Sequence, residues 1–322
     1  MAAQVLLVAV AVAFAWSMGA HYTGATMGMP YATRSIKLWP ALGTIALLAL
    51  IGATFASHKV ERTVGHGILG TSTISISLGA ASIIIAVAFA LTTLFNYLRI
   101  PTSTIQILVF CVIGVGLAVH LSIQWHTILR LVVIWALAPV VAVGLGFGFT
   151  RIIDLLAPGT KGTIGAFGPW HAVLVVVGAG ASFAMGANDV SNATGAFLMT
   201  HLFDVFVAGL IGGIGLSIGA LTWGKPLLER VAFDIVKMDL AMASAAQFVQ
   251  ALVVLTAVAF GYFTSMNQAL VGAMAGTGLA RGRDTVQWPV VRGILKGWAF
   301  GPASGLAIAY VAARLIGLVV HL

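Results

Sequence analysis

A polar segment inside a long apolar stretch holds the residues best suited to bind an ion. It runs from Gly186 to Gly195 and includes Asn188, Asp189 and Asn192. Carboxylate and amide oxygens are ligands for small cations, and the flanking glycines allow a helix to unwind and free its backbone groups. The segment therefore predicts an ion site in a broken helix. A helix end capped by Asn and Asp is the alternative.

Two other segments are rich in hydroxyl groups and begin apolar stretches. One is Pro101-Thr-Ser-Thr-Ile-Gln106 and the other is Phe263-Thr-Ser-Met-Asn-Gln268. Hydroxyl and N–H donors at the positive end of a helix dipole suit an oxyanion. We expect one tetrahedral anion to be surrounded by Thr102, Ser103, Thr104, Thr264, Ser265 and Asn267. Ordinary N-capping is the alternative, and Gln106 and Gln268 are equally suited to bond neighbouring helices.

The elements that position these residues are membrane helices. The 322-residue chain is 60% hydrophobic and 7% charged, whereas a soluble domain is roughly 25% charged. Most apolar runs reach the ~18 to 20 residues that cross a bilayer. This composition predicts an all-α integral protein that crosses the cell membrane several times. The net charge of +8 comes from basic residues scattered between the spans, which favours membrane orientation over nucleic-acid binding.

The sequence contains two copies of one unit. Gly19 and Gly186 head matching segments 167 residues apart, and the hydroxyl-rich segments match at a separation of 162. We predict repeats over residues 1–156 and 170–322 joined by a linker at 157–169. Each copy has five apolar stretches, and an odd number inverts the second copy. The predicted fold is two inverted-topology repeats, with broken or re-entrant helices at the midplane.

Basic residues orient these repeats in the membrane. Arg34, Lys37 and Arg99 have no basic counterparts in the second copy, and Arg281 has none in the first. Basic loops favour the cytoplasm, so we expect both termini to lie outside. The paired charges Glu61-Arg62 and Glu229-Arg230 are expected in amphipathic helices at the surface, a position that needs no substrate to explain it.

The segment Gly186–Gly195 resembles the GANDxxNAxG signature of the inorganic phosphate transporter family. The resemblance covers essentially the whole chain, because both signature segments and both hydroxyl-rich segments match in position. It implies a secondary active transporter, not an enzyme, that forms a homo-oligomer in the lipid bilayer. It also implies no cofactor other than a coupling ion, H⁺ or Na⁺.

The first copy departs from this signature. It has His21 and Tyr22 where the signature has Asn and Asp. A carboxylate accepts a hydrogen bond from protonated phosphate but repels sulfate, which has no proton at neutral pH. The pattern from Gly19 to Tyr31 also resembles the family's bacterial sulfate permease branch. We therefore expect import of sulfate by cation symport with alternating access; phosphate transport and a passive anion channel are the alternatives.

Site roles follow from these expectations. Asn188 and Asp189 are expected to bind the driving cation, and His21 is a candidate proton carrier because histidine titrates near neutrality. A hydrogen-bonded packing histidine is the alternative for His21. Gly19, Gly186 and Asn192 complete the predicted anion site, and Asn192 also supports Asp189.

Overall fold

The computed structural model describes residues 1–69, 76–98, 100, 102–156, 168–234, 238–282 and 288–320, and these residues form helices. In chain order the helices are α1 (Ala2–His21), α2 (Thr23–Ala32), α3 (Leu38–Ala56), α4 (His58–His66), α5 (Leu78–Leu98), α6 (Thr104–Ala118), α7 (Trp125–Leu156), α8 (Gly168–Met199), α9 (Val205–Trp223), α10 (Lys225–Asp234), α11 (Leu240–Ala259), α12 (Met266–Arg281) and α13 (Trp288–Val320). The prediction of an all-α protein is confirmed.

Eight stretches of helix in the described part of the chain are long and apolar enough to cross a membrane. The helices α6 and α12 have 15 and 16 residues. They extend only about 22 to 24 Å at 1.5 Å per residue, less than the ~30 Å hydrocarbon core. Both begin within the hydroxyl-rich segments, at Thr104 and Met266, and both of these first residues are buried. The re-entrant character of the two helices stays a prediction.

The predicted break at the polar segment Gly186–Gly195 is wrong. The helix α8 runs without interruption through this segment, and every residue of the segment is buried. Neighbouring helices enclose α8, so its backbone keeps its own hydrogen bonds because no water replaces them. The first copy is interrupted instead, at Tyr22 between α1 and α2.

Glycines let α1 pack directly on the backbone of α9, and α8 on the backbone of α3. A Cβ atom on Gly19 would lie 1.9 Å from the Leu216 carbonyl oxygen of α9, and one on Gly186 would lie 2.0 Å from the Ala49 carbonyl oxygen of α3. These two contacts join residues that correspond between the copies at the separation of 167. Small residues at helix crossings are the usual way to pack membrane helices closely. The structure therefore gives Gly19 and Gly186 a packing role.

The predicted linker at 157–169 is only partly described. Residues 157–167 lie outside the described residues, and α8 already begins at Gly168.

The charged pairs Glu61-Arg62 and Glu229-Arg230 occupy short helices, α4 and α10, as predicted. However, Glu61 is fully buried, so its predicted surface position is wrong.

An ion triad fastens the far end of α12 to its neighbours. Arg281 Nη2 lies 2.8 Å from Asp154 Oδ1 of α7 and 3.2 Å from Asp239 Oδ2 at the start of α11. The three side chains are at most 13% exposed. Buried carboxylates need such a partner because unpaired charge is costly in a low dielectric. The triad therefore holds the C-terminal end of α12 against both helices.

The close approach at Gly186 has a direct test. Gly186→Ala is expected to lower the midpoint of thermal unfolding in detergent, because overpacking against Ala49 costs about 1 to 3 kcal/mol. Gly180→Ala is the matched control, because it lies on the same helix and nothing lies within 4 Å of its added Cβ. This control should leave the midpoint unchanged or raise it slightly. Equal midpoints for the two variants would contradict the packing role.

Candidate functional site

Asn188 holds the main chain just before α12. Its Nδ2 donates to the Thr264 carbonyl oxygen at 2.8 Å, and the Thr264 N–H donates to its Oδ1 at 3.0 Å. Both residues are fully buried. The amide of Asn188 is thus used as a two-point clamp on the backbone, which fixes where the hydroxyl-rich segment of the second copy begins. Its predicted role as a cation ligand stays a prediction, limited to the remaining lone pair of Oδ1.

His21 occupies the corresponding place in the first copy. Its Nε2 lies 3.2 Å from the Thr102 carbonyl oxygen and 3.4 Å from the Thr102 nitrogen. Its Nδ1 faces Asn96 Oδ1, while the Asn96 amide group donates to the Ser17 carbonyl oxygen at 2.8 Å. Nδ1 therefore carries the proton. In the neutral ring Nε2 is then an acceptor, and Asn267 Nδ2 lies 3.2 Å from it.

A second layer of contacts crosses between the copies. Asn267 Nδ2 donates to the Thr102 carbonyl oxygen at 2.7 Å. Asn192 Nδ2 donates to Thr104 Oγ1 at 3.3 Å, and the Tyr22 hydroxyl lies 2.7 Å from the same oxygen. The Thr104 hydroxyl therefore already has two partners within the protein. Its predicted contact with the anion stays a prediction.

The serines of the two hydroxyl-rich segments act as helix caps. Ser103 Oγ accepts from the Gln106 N–H, and Ser265 Oγ accepts from the Gln268 N–H. This is the capping alternative considered from the sequence, and each serine O–H remains a donor. The glutamines form a reciprocal pair, with Gln106 Nε2 to Gln268 Oε1 at 3.3 Å and Gln268 Nε2 to Gln106 Oε1 at 3.1 Å. The pair joins α6 to α12 close to their N-termini.

Several buried polar atoms around these clamps have no hydrogen-bond partner. They are both carboxylate oxygens of Asp189, Oδ1 of Asn192, and the hydroxyl oxygens of Thr102 and Thr264. Leaving such groups unpaired costs roughly 1 to 3 kcal/mol each, so their number at one place indicates a ligand site. The three free acceptor oxygens suit a small cation, and the two threonine hydroxyls can donate to an anion.

The site is enclosed, and Asp189 is its acidic group. Asp189, Thr102 and Thr264 have no solvent exposure. The Asp189 carboxylate interacts electrostatically with Tyr22. Tyr22 occupies the position of the first copy that corresponds to Asp189. Within the described residues, no Lys or Arg forms an ion pair with it. Any anion here is therefore held by neutral donors and by the helix ends.

Sequence reasoning missed Asn96, Tyr22 as a hydrogen-bonding group, and a buried amide pair on α11. Gln247 Nε2 donates to the Ala25 carbonyl oxygen at 3.0 Å and also to Gln250 Oε1. The available signal was a polar residue within an apolar span, which is expensive and needs a partner. Asn96 and both glutamines satisfy that criterion.

The fold and the site define a class: a multi-pass helical membrane protein with an enclosed cluster of unpaired polar groups at the starts of two short helices. Residues 18–309 match the model of the phosphate transporter family, and the chain belongs to that family. It is therefore a transporter and not an enzyme. The resemblance drawn from the two signature segments is confirmed.

Individual relatives agree with this assignment. The chain is 30% identical over 307 residues to the sulfate permease CysP of Bacillus subtilis (strain 168), covering 94% of this chain and 85% of that protein. It also superimposes on a solved structure described as a sodium-dependent phosphate transporter, with a TM-score of 0.91 and 21% identity. That match covers 99% of this chain and 100% of the other, and it establishes the fold.

The free hydroxyl of Thr264 has a direct test. Thr264→Val keeps the side-chain shape, so we expect the anion concentration for half-maximal uptake to rise about tenfold, since a hydrogen bond to a charged group contributes about 1.5 to 3 kcal/mol. Thr256→Val is the control, because Thr256 is an exposed residue of α11 whose hydroxyl bonds the Leu252 carbonyl oxygen of its own helix. Equal uptake constants for both variants would refute the assignment.

Proposed function

We propose that this protein imports sulfate by cation symport with alternating access. The observation that carries the proposal is a pair of buried hydroxyls without a partner, those of Thr102 and Thr264. They lie just before the short helices α6 and α12, whose N-terminal turns are joined by the Gln106–Gln268 pair. Helix N-termini and hydroxyl donors bind oxyanions without requiring a fixed cation. In this proposal the backbone N–H groups at the starts of α6 and α12 complete the anion site, with Ser103 and Ser265 as further donors.

Sulfate is preferred over phosphate because the site has one carboxylate where the family signature implies two. His21 and Tyr22 replace the Asn and Asp of the first copy, and the Tyr22 hydroxyl is directed to Thr104. A second carboxylate would repel a dianion that carries no proton to share. The sulfate permease named among the relatives supports the same choice.

Asp189 is the proposed cation site. Its two oxygens and Asn192 Oδ1 provide free acceptors in an enclosed place, a ligand set that suits Na⁺ or a proton. The relative described as sodium-dependent is compatible with Na⁺. His21 is the second candidate for the proton, because a proton added at Nε2 would turn its contact with the Thr102 carbonyl oxygen into a donated hydrogen bond.

Alternating access is proposed from the way the two copies meet. Gly19 contacts Leu216 and Ala49 contacts Gly186, so corresponding residues exchange partners, as a twofold axis requires. The reciprocal bonds of Gln106 and Gln268 fit the same axis. Inverted repeats around an enclosed midplane site are the usual basis for rocking or sliding one unit against the other. The enclosed site favours this mechanism over an open channel.

The remaining proposals concern orientation and assembly. We propose that both termini lie outside, which places the start of α8 on the cytoplasmic side. A homo-oligomer in the bilayer is proposed on the family resemblance. Neither proposal affects the chemistry assigned to the anion site.

The choice between the two anions can be tested by restoring the family signature. The double variant His21→Asn, Tyr22→Asp gives the first copy a carboxylate at the position that corresponds to Asp189. We expect the ratio of sulfate to phosphate uptake in proteoliposomes to fall at least about tenfold, since one charged contact changes binding by roughly 1.5 to 3 kcal/mol.

His21→Asn alone is the control, because Asn can reproduce the clamp that Asn188 makes on Thr264. It should retain the sulfate preference of the wild type. A double variant with an unchanged ratio would contradict the role given to the missing carboxylate.

A further inference from the structure

Glu61 is a buried carboxyl group outside the anion site. It lies on α4, which packs on the C-terminal part of α8 through Gly195 and Val64, where an added Cβ would come within 2.4 Å. Glu61 has no solvent exposure. Its Oε1 lies 3.3 Å from Ser57 Oγ and 3.2 Å from Thr194 Oγ1. These two hydroxyls also lie 2.6 Å and 2.9 Å from the carbonyl oxygens of Ala53 and Val190. The other carboxyl oxygen of Glu61, Oε2, has no hydrogen-bond partner.

No cationic group that the structure describes compensates this carboxyl. On its own helix, Lys59 Nζ donates to the Ala259 carbonyl oxygen on the exposed side, and Arg62 lines a surface groove with Arg130. From the start of α9, Asp204 adds a like charge. The other titratable groups on α4 and α8 are His58, His66, His171 and Asp189, and His201 follows α8.

Burial without a counter-ion raises the pKa of Glu61 to about 8. The hydroxyls of Thr194 and Ser57 act in the opposite direction and lower the pKa, while the charge of Asp204 raises it further. An unpaired carboxylate is disfavoured in a low dielectric, so the neutral form is retained up to mildly alkaline pH. Glu61 can therefore gain and lose one proton within the physiological range.

The corresponding helix of the second copy shows that the fold does not need a buried acid here. Glu229 on α10 matches Glu61, but its side chain is 42% exposed and lies 4.0 Å from Lys225. At the separation of 167, Thr194 corresponds to Met27, which has no hydroxyl group to bond a carboxyl. The unit thus folds with this glutamate at the surface, and the burial of Glu61 is specific to one copy.

We propose that Glu61 is a proton-binding site of this transporter, distinct from the anion site, that is loaded and emptied during the transport cycle. The inference rests on the proposed function of the protein as an anion importer. Thr194, its hydrogen-bond partner, follows Asp189 by five residues on the same helix, about 7.5 Å along the axis. Movement of α8 against α4 would expose Oε2 to water. One proton then neutralises one negative charge, and its release restores the carboxylate.

The first measurement is uptake of radiolabelled sulfate into proteoliposomes at a series of external pH values. Wild-type uptake should fall about tenfold from pH 7 to pH 9, because a carboxyl that titrates near pH 8 loses about nine-tenths of its protons over that interval. Glu61→Gln should flatten this dependence, because glutamine does not titrate. Glu229→Gln, the matched control, should keep the wild-type profile.

The outcomes separate this inference from the proposed function. Sulfate uptake with the same pH profile in wild type and Glu61→Gln would overturn the proton site and leave anion import standing. Absence of saturable sulfate uptake by the wild type would instead refute the proposed function. A Glu229→Gln profile that flattens as much as that of Glu61→Gln would also overturn the specific role of Glu61.

Thermal unfolding in detergent tests the proton directly, without transport. The wild type holds its Glu61 proton in the folded state while the unfolded chain releases it above the ordinary pKa of glutamate. Wild-type stability should therefore decrease relative to Glu61→Gln as pH rises from 5 to 8 and level off above the raised pKa. A difference in melting temperature that stays constant over this range would show that Glu61 is not buried in its protonated form.

Discussion

Two buried side chains, His21 and Asn188, hold the main chain just before the short helices α6 and α12, and the candidate site depends on these contacts. His21 Nε2 accepts from the Thr102 N–H, and Asn188 bonds the Thr264 main chain. Each bonds the backbone of a threonine whose hydroxyl remains free. If either clamp moved, the threonine and the start of its helix would move with it. The N-terminal ends of the two helices would then no longer meet at one place.

The clamps also explain why the two copies can differ in charge while sharing a shape. The amide of Asn188 bonds both the C=O and the N–H of Thr264. The imidazole of His21 uses its N–H on Asn96 and accepts from the Thr102 N–H, while Asn267 bonds the Thr102 carbonyl oxygen. Their neighbours, Asp189 and Tyr22, are not equivalent in the same way. Asp189 is a carboxyl group, whereas Tyr22 is a neutral hydroxyl that lies 2.7 Å from Thr104 Oγ1 and also interacts with Asp189. The site therefore has a carboxyl group only from the second copy. The first copy contributes no negative charge that would repel a dianion.

The sequence could predict the class of fold because composition and apolar run length are physical requirements for crossing a bilayer. It could also predict which hydroxyl-rich segments start the short helices, because Ser103 and Ser265 are good caps. The continuity of α8 through the polar segment was not predictable, because it depends on enclosure by helices from both copies. The glycines at the ends of the polar segment were expected to let the helix unwind, but Gly186 instead allows close packing against Ala49.

Side-chain partners across the fold were the least predictable part. Thr104 matched the expected donor pattern, but Tyr22 and Asn192 already engage its hydroxyl. Glu61 was expected at the surface from its place in a charged pair, and only the fold shows that α8 covers it. Glu61 and Glu229 share the arginine that follows them, but Glu229 has Lys225 one turn before it and Glu61 has Ser57. The shared pair alone therefore does not decide which glutamate is buried.

The most direct test of the central claim is uptake of radiolabelled sulfate by the purified protein in proteoliposomes, competed with phosphate and repeated with sodium or proton gradients. The structural account predicts saturable sulfate uptake that a cation gradient drives above equilibrium and that phosphate inhibits only weakly. Phosphate uptake that excess sulfate leaves unchanged would contradict it, and would mean that the single carboxylate of the site does not select against phosphate.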